Sequence, residues 1–256
     1  MKLDGQIAWV TGAGSGIGRA AAQALAAEGV TAVLTGRRQH ALEETAQLIG
    51  ANAMVQAGDV TDAARVKSIA AAIDAAFGRL DIVVNNAGIN IRERRWSELT
   101  TDGIERLVAT NLSSAFHVTA AALPLMRRRH TGLFIHVGSR AGRFWDGPSG
   151  VGYMATKAAL AALSHGINRE ECIHGIRSCI LNPGETVTEI LKARKSSWSK
   201  DELARMMRPE DVADLVRYIA CLPPHLCMGE VLLTPTWNRV FVAAAQTAAD
   251  DASGRV

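Results

Sequence analysis

Aromatic side chains make up only 5% of this chain and just 2 residues are tyrosines, so chemistry that needs a phenol has few places to occur. Cysteine is also thin. The 4 cysteines, Cys172, Cys179, Cys221 and Cys227, form neither a C-x-x-C pair nor the dense pattern of a disulfide scaffold, which points to reduced thiols in a cytosol and to no metal site. Charge of either sign is nearly balanced: a net +3 with dispersed basic residues leaves no electrostatic footprint for nucleic acid. Long hydrophobic runs are missing. The apolar stretch Ile7–Val10 is cut short by Thr11 and Gly12, well below the length of a bilayer span or a signal-peptide core, so the expectation is a soluble, cytoplasmic protein with no membrane partner. No Gly- or Ser-rich linker and no internal repeat offers a seam at which to divide the chain.

What is present is enough for one large core: 256 residues, 48% hydrophobic and 21% charged. Short aliphatic runs alternate with longer Ala-rich stretches that carry apolar residues at helical spacing, the signature of βα units on a parallel sheet. The runs predict strands at Ile7–Thr11, Ala32–Thr35, Ala53–Gln56, Ile82–Asn85, Leu133–Val137, Ser178–Leu181 and Val231–Thr234. The expected fold is a single-domain, doubly wound (Rossmann) α/β architecture with about seven parallel strands and helices on both faces. Residues 1–242 are expected to contain the dinucleotide and substrate sites together. Gly103–Arg129 reads as one long helix kinked at Pro124, and Gly152–His174 as a second. The end of the chain, 243–256, has no clear apolar face and reads as a frayed tail or a partner-contacting arm.

After the first strand stands Thr11-Gly12-Ala13-Gly14-Ser15-Gly16-Ile17-Gly18, followed by an Ala-rich helix. Backbone N–H groups at such a helix start carry the positive end of its dipole, and glycines let a pyrophosphate approach without a Cβ clash. A tight glycine turn without a ligand is the plainer alternative. The spacing is T-G-x-x-x-G-I-G rather than the generic G-x-G-x-x-G. At the end of the second strand, where an NAD site usually places an acid for the ribose hydroxyls, the chain reads Thr35-Gly36-Arg37-Arg38. A guanidinium there can pair bidentately with a 2′-phosphate, which favours NADP, with NAD still possible; solvated arginines opening the next helix are the competing reading.

Tyr153 and Lys157 stand four positions apart in a helical stretch, so both side chains project from one face. A free tyrosine titrates near 10 and is a poor proton-transfer group at neutral pH, but a neighbouring ammonium favours the phenolate. Alone, the pair could equally be an amphipathic surface feature. Ser139 follows the fifth predicted strand at its carboxyl end, where parallel α/β sheets place their ligands, although a turn residue also fits that position.

Thr11–Gly18, Asp59 in Gly58-Asp59-Val60, Asn85-Asn86-Ala87-Gly88, Asn111, Ser139, Tyr153-x-x-x-Lys157 and Pro183-Gly184 occur in that order over nearly the whole chain, and together they resemble the short-chain dehydrogenase/reductase family. The resemblance implies an oxidoreductase moving hydride between NAD(P) and a carbonyl or secondary alcohol. It implies that Tyr153 transfers the proton, Lys157 also holds the nicotinamide ribose, Ser139 orients the substrate oxygen and Asn111 fixes a water in a proton relay. It places the cofactor on Gly12, Gly14, Ser15, Gly16, Ile17, Gly18, Arg37, Arg38, Asp59, Val60, Asn86, Ala87, Gly88, Tyr153, Lys157, Pro183, Gly184, Thr186 and Thr188, and it implies a homo-oligomer, dimer or tetramer, built through the two long helices. Asp59 can also be read as a helix start, and Asn111 as a structural residue inside its helix. Ser139 and Tyr153 are one residue further apart than the family pattern, which puts an extra residue in the loop Arg140–Gly152.

Substrate contacts are expected from Ile89 and Asn90, from Arg140–Trp145 and from Glu185–Met207. Arg92, Arg94 and Arg95 beside Trp96, with Arg140 and Arg143, either attract an anionic substrate such as a hydroxy or keto acid or are solvated loop charges. Thr35–Arg38, Pro209–Val212, Leu222–His225 and Glu230–Pro235 resemble the NADP-dependent branch of the family that oxidises 3-hydroxy acids and related amino acids. A dinucleotide-binding regulator without catalysis is the rival from another class.

Overall fold

The computed structural model describes residues 2–144, 147–192 and 198–252. Seven strands form one sheet: β1 Ile7–Thr11, β2 Thr31–Thr35, β3 Ala53–Val55, β4 Ile82–Asn85, β5 Gly132–Val137, β6 Ile176–Pro183 and β7 Glu230–Leu233. The order is β3-β2-β1-β4-β5-β6-β7 and every neighbouring pair is parallel. This is the doubly wound architecture that the alternating runs predict. The helices are α1 Gly16–Ala26, α2 Gln39–Ile49, α3 Ala63–Phe77, α4 Thr101–Val108, α5 Ser114–Arg127, α6 Val151–Glu171, α7 Glu189–Lys192, α8 Lys200–Ala204, α9 Pro209–Ala220 and α10 Arg239–Ala252.

Strand pleating splits the core in two. Ala8 and Val10 of β1 face one cluster, where Leu25 of α1 and Val212 and Val216 of α9 pack. Ile7 and Trp9 face the other, with Val66 and Ile73 of α3, Val118 and Met126 of α5, and Leu160 and Ile167 of α6. Both faces of the central strands are thus covered, which is why β1 is buried at every position and reads as a continuous apolar run rather than an alternating one. Among the described residues no helix is long and apolar enough to cross a membrane.

Two expectations need correction. The single helix predicted over Gly103–Arg129 is interrupted at Ala109–Ser113 by a π-helical turn, while α5 runs on through Pro124 to Arg127. Proline near a helix end removes little, whereas the extra residue of a π turn re-aims a side chain, and here that side chain is Asn111. The segment after residue 242 is not frayed at its start: α10 is continuous from Arg239 to Ala252.

Candidate active site

The chain reverses its direction of sheet growth between β1 and β4, and in parallel sheets ligands settle in the crevice beyond the strand ends at that point. A cleft of about 570 Å³ opens there. Its lining contains the glycine loop, Gly36–Arg38 after β2, Gly58–Val60 after β3, Asn86–Asn90 after β4, Ser139–Ala141 after β5, Tyr153 and Lys157 of α6, and Pro183–Thr186 with Thr188–Leu191 after β6.

The glycine loop is shaped by what it touches. Gly12 and Gly16 have φ of +65° and +52°, the left-handed region that favours glycine. A Cβ on Gly12 would stand 2.7 Å from Asn86 Nδ2, and one on Gly16 would stand 3.3 Å from Thr188 Cγ2. Thr11 Oγ1 accepts from the Asn86 and Ala87 N–H groups at 3.0 and 3.1 Å, and Asn86 Nδ2 donates to the Thr11 and Gly12 carbonyls at 3.0 and 3.3 Å. The turn after β4 and the loop after β1 are therefore one unit. Ser15 precedes α1 without capping it, and the first turn holds no acidic residue, so the helix start is free of an internal anion. These features fit a dinucleotide pyrophosphate: a cradle that side chains would fill, closed at its rim by α7.

Gly18 and Asn111 are absent from the cleft lining. Gly18 lies beneath the loop, where a Cβ would meet Asn86 Nδ2 at 2.5 Å and Gly12 still more closely. Asn111 is buried; its Oδ1 accepts from Ile89 N at 2.8 Å, and its Nδ2 donates to Ile89 O at 3.0 Å and Thr156 Oγ1 at 3.1 Å. It clamps the turn after β4 to the helix that carries Tyr153 and Lys157. The helix-start reading of Asp59 is wrong in detail: Asp62 caps α3 by accepting from Ala64 N and Arg65 N, whereas Asp59 faces the cleft with Oδ1 accepting from Thr61.

Lys157 is buried on the cleft floor; its Nζ donates to the Val137 carbonyl at 2.8 Å and lies 5.8 Å from the centre of the Tyr153 ring. Burial pushes its pKa down to about 8. At pH 7 it is still an ammonium. Below it His136 is pushed down to about 3, first by burial and then by the Lys157 charge, and so stays neutral; Asn85 Nδ2 lies 3.3 Å from its Nδ1. An unfolded lysine keeps its proton to about 10.4, so between about pH 8 and 10 the unfolded chain binds more protons and stability rises with pH. The stability of the protein relative to Lys157→Met should therefore climb by about 3 kcal/mol across that window, read from urea unfolding at a series of pH values. A difference that stays flat would mean that folding does not lower the pKa of Lys157.

Ser139 caps the 3-10 turn Arg140–Gly142 by accepting from Ala141 N at 3.2 Å, and its own N–H donates to Asn182 Oδ1 at 3.1 Å. The loop to α6 doubles back tightly: a Cβ on Gly142 would stand 2.8 Å from the Lys157 backbone, and Gly150 has φ +83°. Of the expected substrate residues, Ile89, Asn90, Arg140, Ala141, Glu185, Thr186 and Thr188–Leu191 line the cleft, while Trp145 and residues 193–197 lie outside the described residues. The arginine cluster does not assemble. Arg94 donates to the Ile91 and Pro148 carbonyls, Arg143 pairs with Glu230 at 2.7 Å, Trp96 is 77% exposed, and none of Arg92, Arg94 and Arg95 reaches the cleft lining. The sequence reading placed Glu189 in a substrate segment but not its pairing with Arg38 at 3.0 Å across the cleft mouth, and it missed Asn238, buried in the cleft wall. The Arg38–Glu189 pair has no local signal, because it joins segments far apart in the chain.

A glycine cradle for a dinucleotide, with a phenol and an ammonium on its floor, defines an oxidoreductase of the doubly wound α/β class. The short chain dehydrogenase family model matches residues 6–198, and the chain belongs to that family. Among curated proteins it is 32% identical over 237 residues to 3-oxoacyl-(acyl-carrier-protein) reductase FabG of Escherichia coli K12, covering 91% of this chain and 96% of that protein. Among solved structures it is similar to a metagenomic short-chain oxidoreductase in complex with NADP, at 29% identity and TM-score 0.80 over 93% of this chain and 100% of the other. It is similar also to serine dehydrogenase from Escherichia coli, at 27% identity and TM-score 0.77 over 90% and 98% of the two chains.

Proposed function

We propose that this enzyme transfers hydride between NADP(H) and a carbonyl or secondary alcohol, with 3-hydroxy or keto acids as its substrate class and Tyr153 as its proton-transfer residue. The observation that carries the reading is Lys157, an ammonium at neutral pH buried beside the Tyr153 ring in the floor of the cleft. The dinucleotide, when bound, supplies or accepts the hydride. Gly12, Gly14, Ser15, Gly16 and Ile17 receive its phosphates, Asp59 and Val60 its adenine, and Ala87, Gly88, Pro183, Gly184, Thr186 and Thr188 the remainder. Lys157 holds the nicotinamide ribose and lowers the cost of a phenolate on Tyr153. The phenol gives its proton to the substrate oxygen during reduction and takes it back during oxidation, while Ser139 orients that oxygen. Asn111 acts by fixing the Tyr153 helix against the cofactor turn. Residues 1–242 contain both sites on this reading, and 243–256 contain neither.

Substrate class is supported by the likeness to serine dehydrogenase, named for a 3-hydroxy amino acid; the likeness to a 3-oxoacyl-(acyl-carrier-protein) reductase favours the same oxygen position on an acyl group. Homo-oligomer formation is supported by Phe116, 50% exposed on α5, with Ile104 and Val108 exposed on α4. A cytoplasmic setting is supported by four cysteines that remain free thiols. The activity test is NADPH oxidation against a panel of ketones, aldehydes, keto acids and 3-oxoacyl thioesters; tight NADPH binding with no turnover across the panel would give the role to a non-catalytic regulator instead.

Preference for NADP rests on Arg37 and Arg38, which line the nucleotide end of the cleft; Arg37 is exposed and Arg38 lies 3.3 Å from Ser15 Oγ. Arg37→Ala should lower the ratio of kcat/KM for NADPH over NADH about 10-fold to 30-fold, since a charge-assisted pair to a 2′-phosphate contributes about 1.5–2 kcal/mol. Equal losses with both cofactors would remove the argument for NADP.

A further inference from the structure

Arg140 begins the 3-10 turn directly after Ser139 and is buried, with 8% of its surface exposed. Its guanidinium carbon sits 5.6 Å from the ring centre of Phe144 and 5.0 Å from that of Phe241, so the cation lies over two aromatic rings. Ring faces ease the burial of a cation, but they do not satisfy N–H donors. The Nε of Arg140 has no hydrogen-bond partner among the described residues. The side chain nevertheless contributes to the cleft wall.

Neighbouring carboxylates do not neutralise it. Glu185 is taken by Arg239, Glu189 by Arg38 and Glu230 by Arg143. A buried guanidinium without an anion among the described residues, next to the residue that orients the substrate oxygen, is costly to the empty protein and becomes favourable once a ligand brings a carboxylate, which a planar fork of donors binds bidentately. One of the two rings comes from the chain's last helix. Phe241 lies in the first turn of α10, which Arg239 anchors to Glu185 on the far wall of the cleft.

We propose that Arg140, with Phe144 and Phe241 against its guanidinium, is the receptor for a carboxylate on the substrate, and that α10 is held against the cleft to build it. This rests on the hydride-transfer reading and gives that site its substrate charge. Arginines at 92, 94 and 95 take no part.

The test compares 3-oxobutanoate with its methyl ester as substrates for NADPH oxidation, and butanoate with butanamide as ligands in calorimetric titrations of the NADP complex. Arg140→Met, which keeps the unbranched stem, should lower the ratio of kcat/KM for acid over ester about 30-fold and should abolish the preference for butanoate over butanamide. Arg140→Lys should keep part of both preferences, and Phe241→Leu should lower both by a smaller factor, with thermal melting used to check that each variant folds. Equal binding of butanoate and butanamide by the wild type, or an acid-over-ester ratio within twofold of wild type in Arg140→Met, overturns the proposal. Wild type that turns over none of the carbonyl panel but still binds butanoate through Arg140 supports the receptor and removes the hydride-transfer reading; reduction of the ester with no preference for carboxylates does the reverse.

Discussion

Tyr153→Phe is expected to lower kcat for carbonyl reduction about 10³-fold while leaving the Kd for NADPH within about threefold of wild type. The change deletes one oxygen and keeps the ring over which the Lys157 ammonium lies at 5.8 Å, so packing on α6 is preserved. What disappears is the proton donor for the reduced oxygen, a loss of about 4 kcal/mol in transition-state stabilisation at that rate factor. Steady-state NADPH oxidation and a fluorescence titration of the cofactor separate the two effects. If the variant retained a tenth or more of wild-type turnover, the proton would have another source and the assignment of Tyr153 would be lost.

Gly18→Ala should be nearly as damaging for a different reason. The added methyl group would enter the space of Asn86 Nδ2 at 2.5 Å and of the Gly12 carbonyl carbon at 2.8 Å, and neither neighbour can retreat, because Asn86 is bonded to Thr11 and Gly12. Overpacking of this kind costs about 1–3 kcal/mol, which lowers the melting temperature of a chain this size by about 2–12 °C. Cofactor affinity should fall on the order of 10²-fold, because a shift of roughly 1 Å in a positioning loop is felt to that extent at the ligand. Gly14→Ala provides the contrast: its nearest obstacle is the Ala41 Cβ at 3.1 Å, a methyl group on a separate helix, and the loss should be several-fold only. Calorimetric binding and thermal melting of the two variants decide the matter; equal behaviour would mean that the loop is not wedged as described.

The sheet was legible because its strands are buried on both faces, and β1 and β4 begin and end where the aliphatic runs do. Strand ends drifted where hydrogen bonding continues past the hydrophobic stretch, as in β6, which takes in Ile176 and Arg177 before the run and Asn182 and Pro183 after it. The cleft was legible from motif order. The roles inside it were less so. Asn111 and Gly18 carry the expected residue types, yet they support the lining from beneath, a distinction that depends on contacts with Ile89, Thr156 and Gly12 and not on spacing. The π turn at Ala109–Ser113 leaves no periodic trace, since one extra residue in a helix looks like ordinary drift of an apolar stripe. Reading the tail from residue 243 cut α10 after its first turn, and that turn holds Phe241, so the remainder showed no apolar face. Arg140 was grouped with Arg94, which proves to be a loop strap, because only one of the two rings that cover it, Phe144, is near in sequence and the other, Phe241, comes from a helix about a hundred residues on.

The pairing of Arg38 with Glu189 has a consequence for selectivity. A phosphate that takes Arg38 competes with a tethered carboxylate, so occupation of that corner has the character of an ion exchange rather than a simple addition. The protein carries its own decoy anion at the doorway. A dianion, with twice the charge of a single carboxylate, is the visitor best matched to displace it.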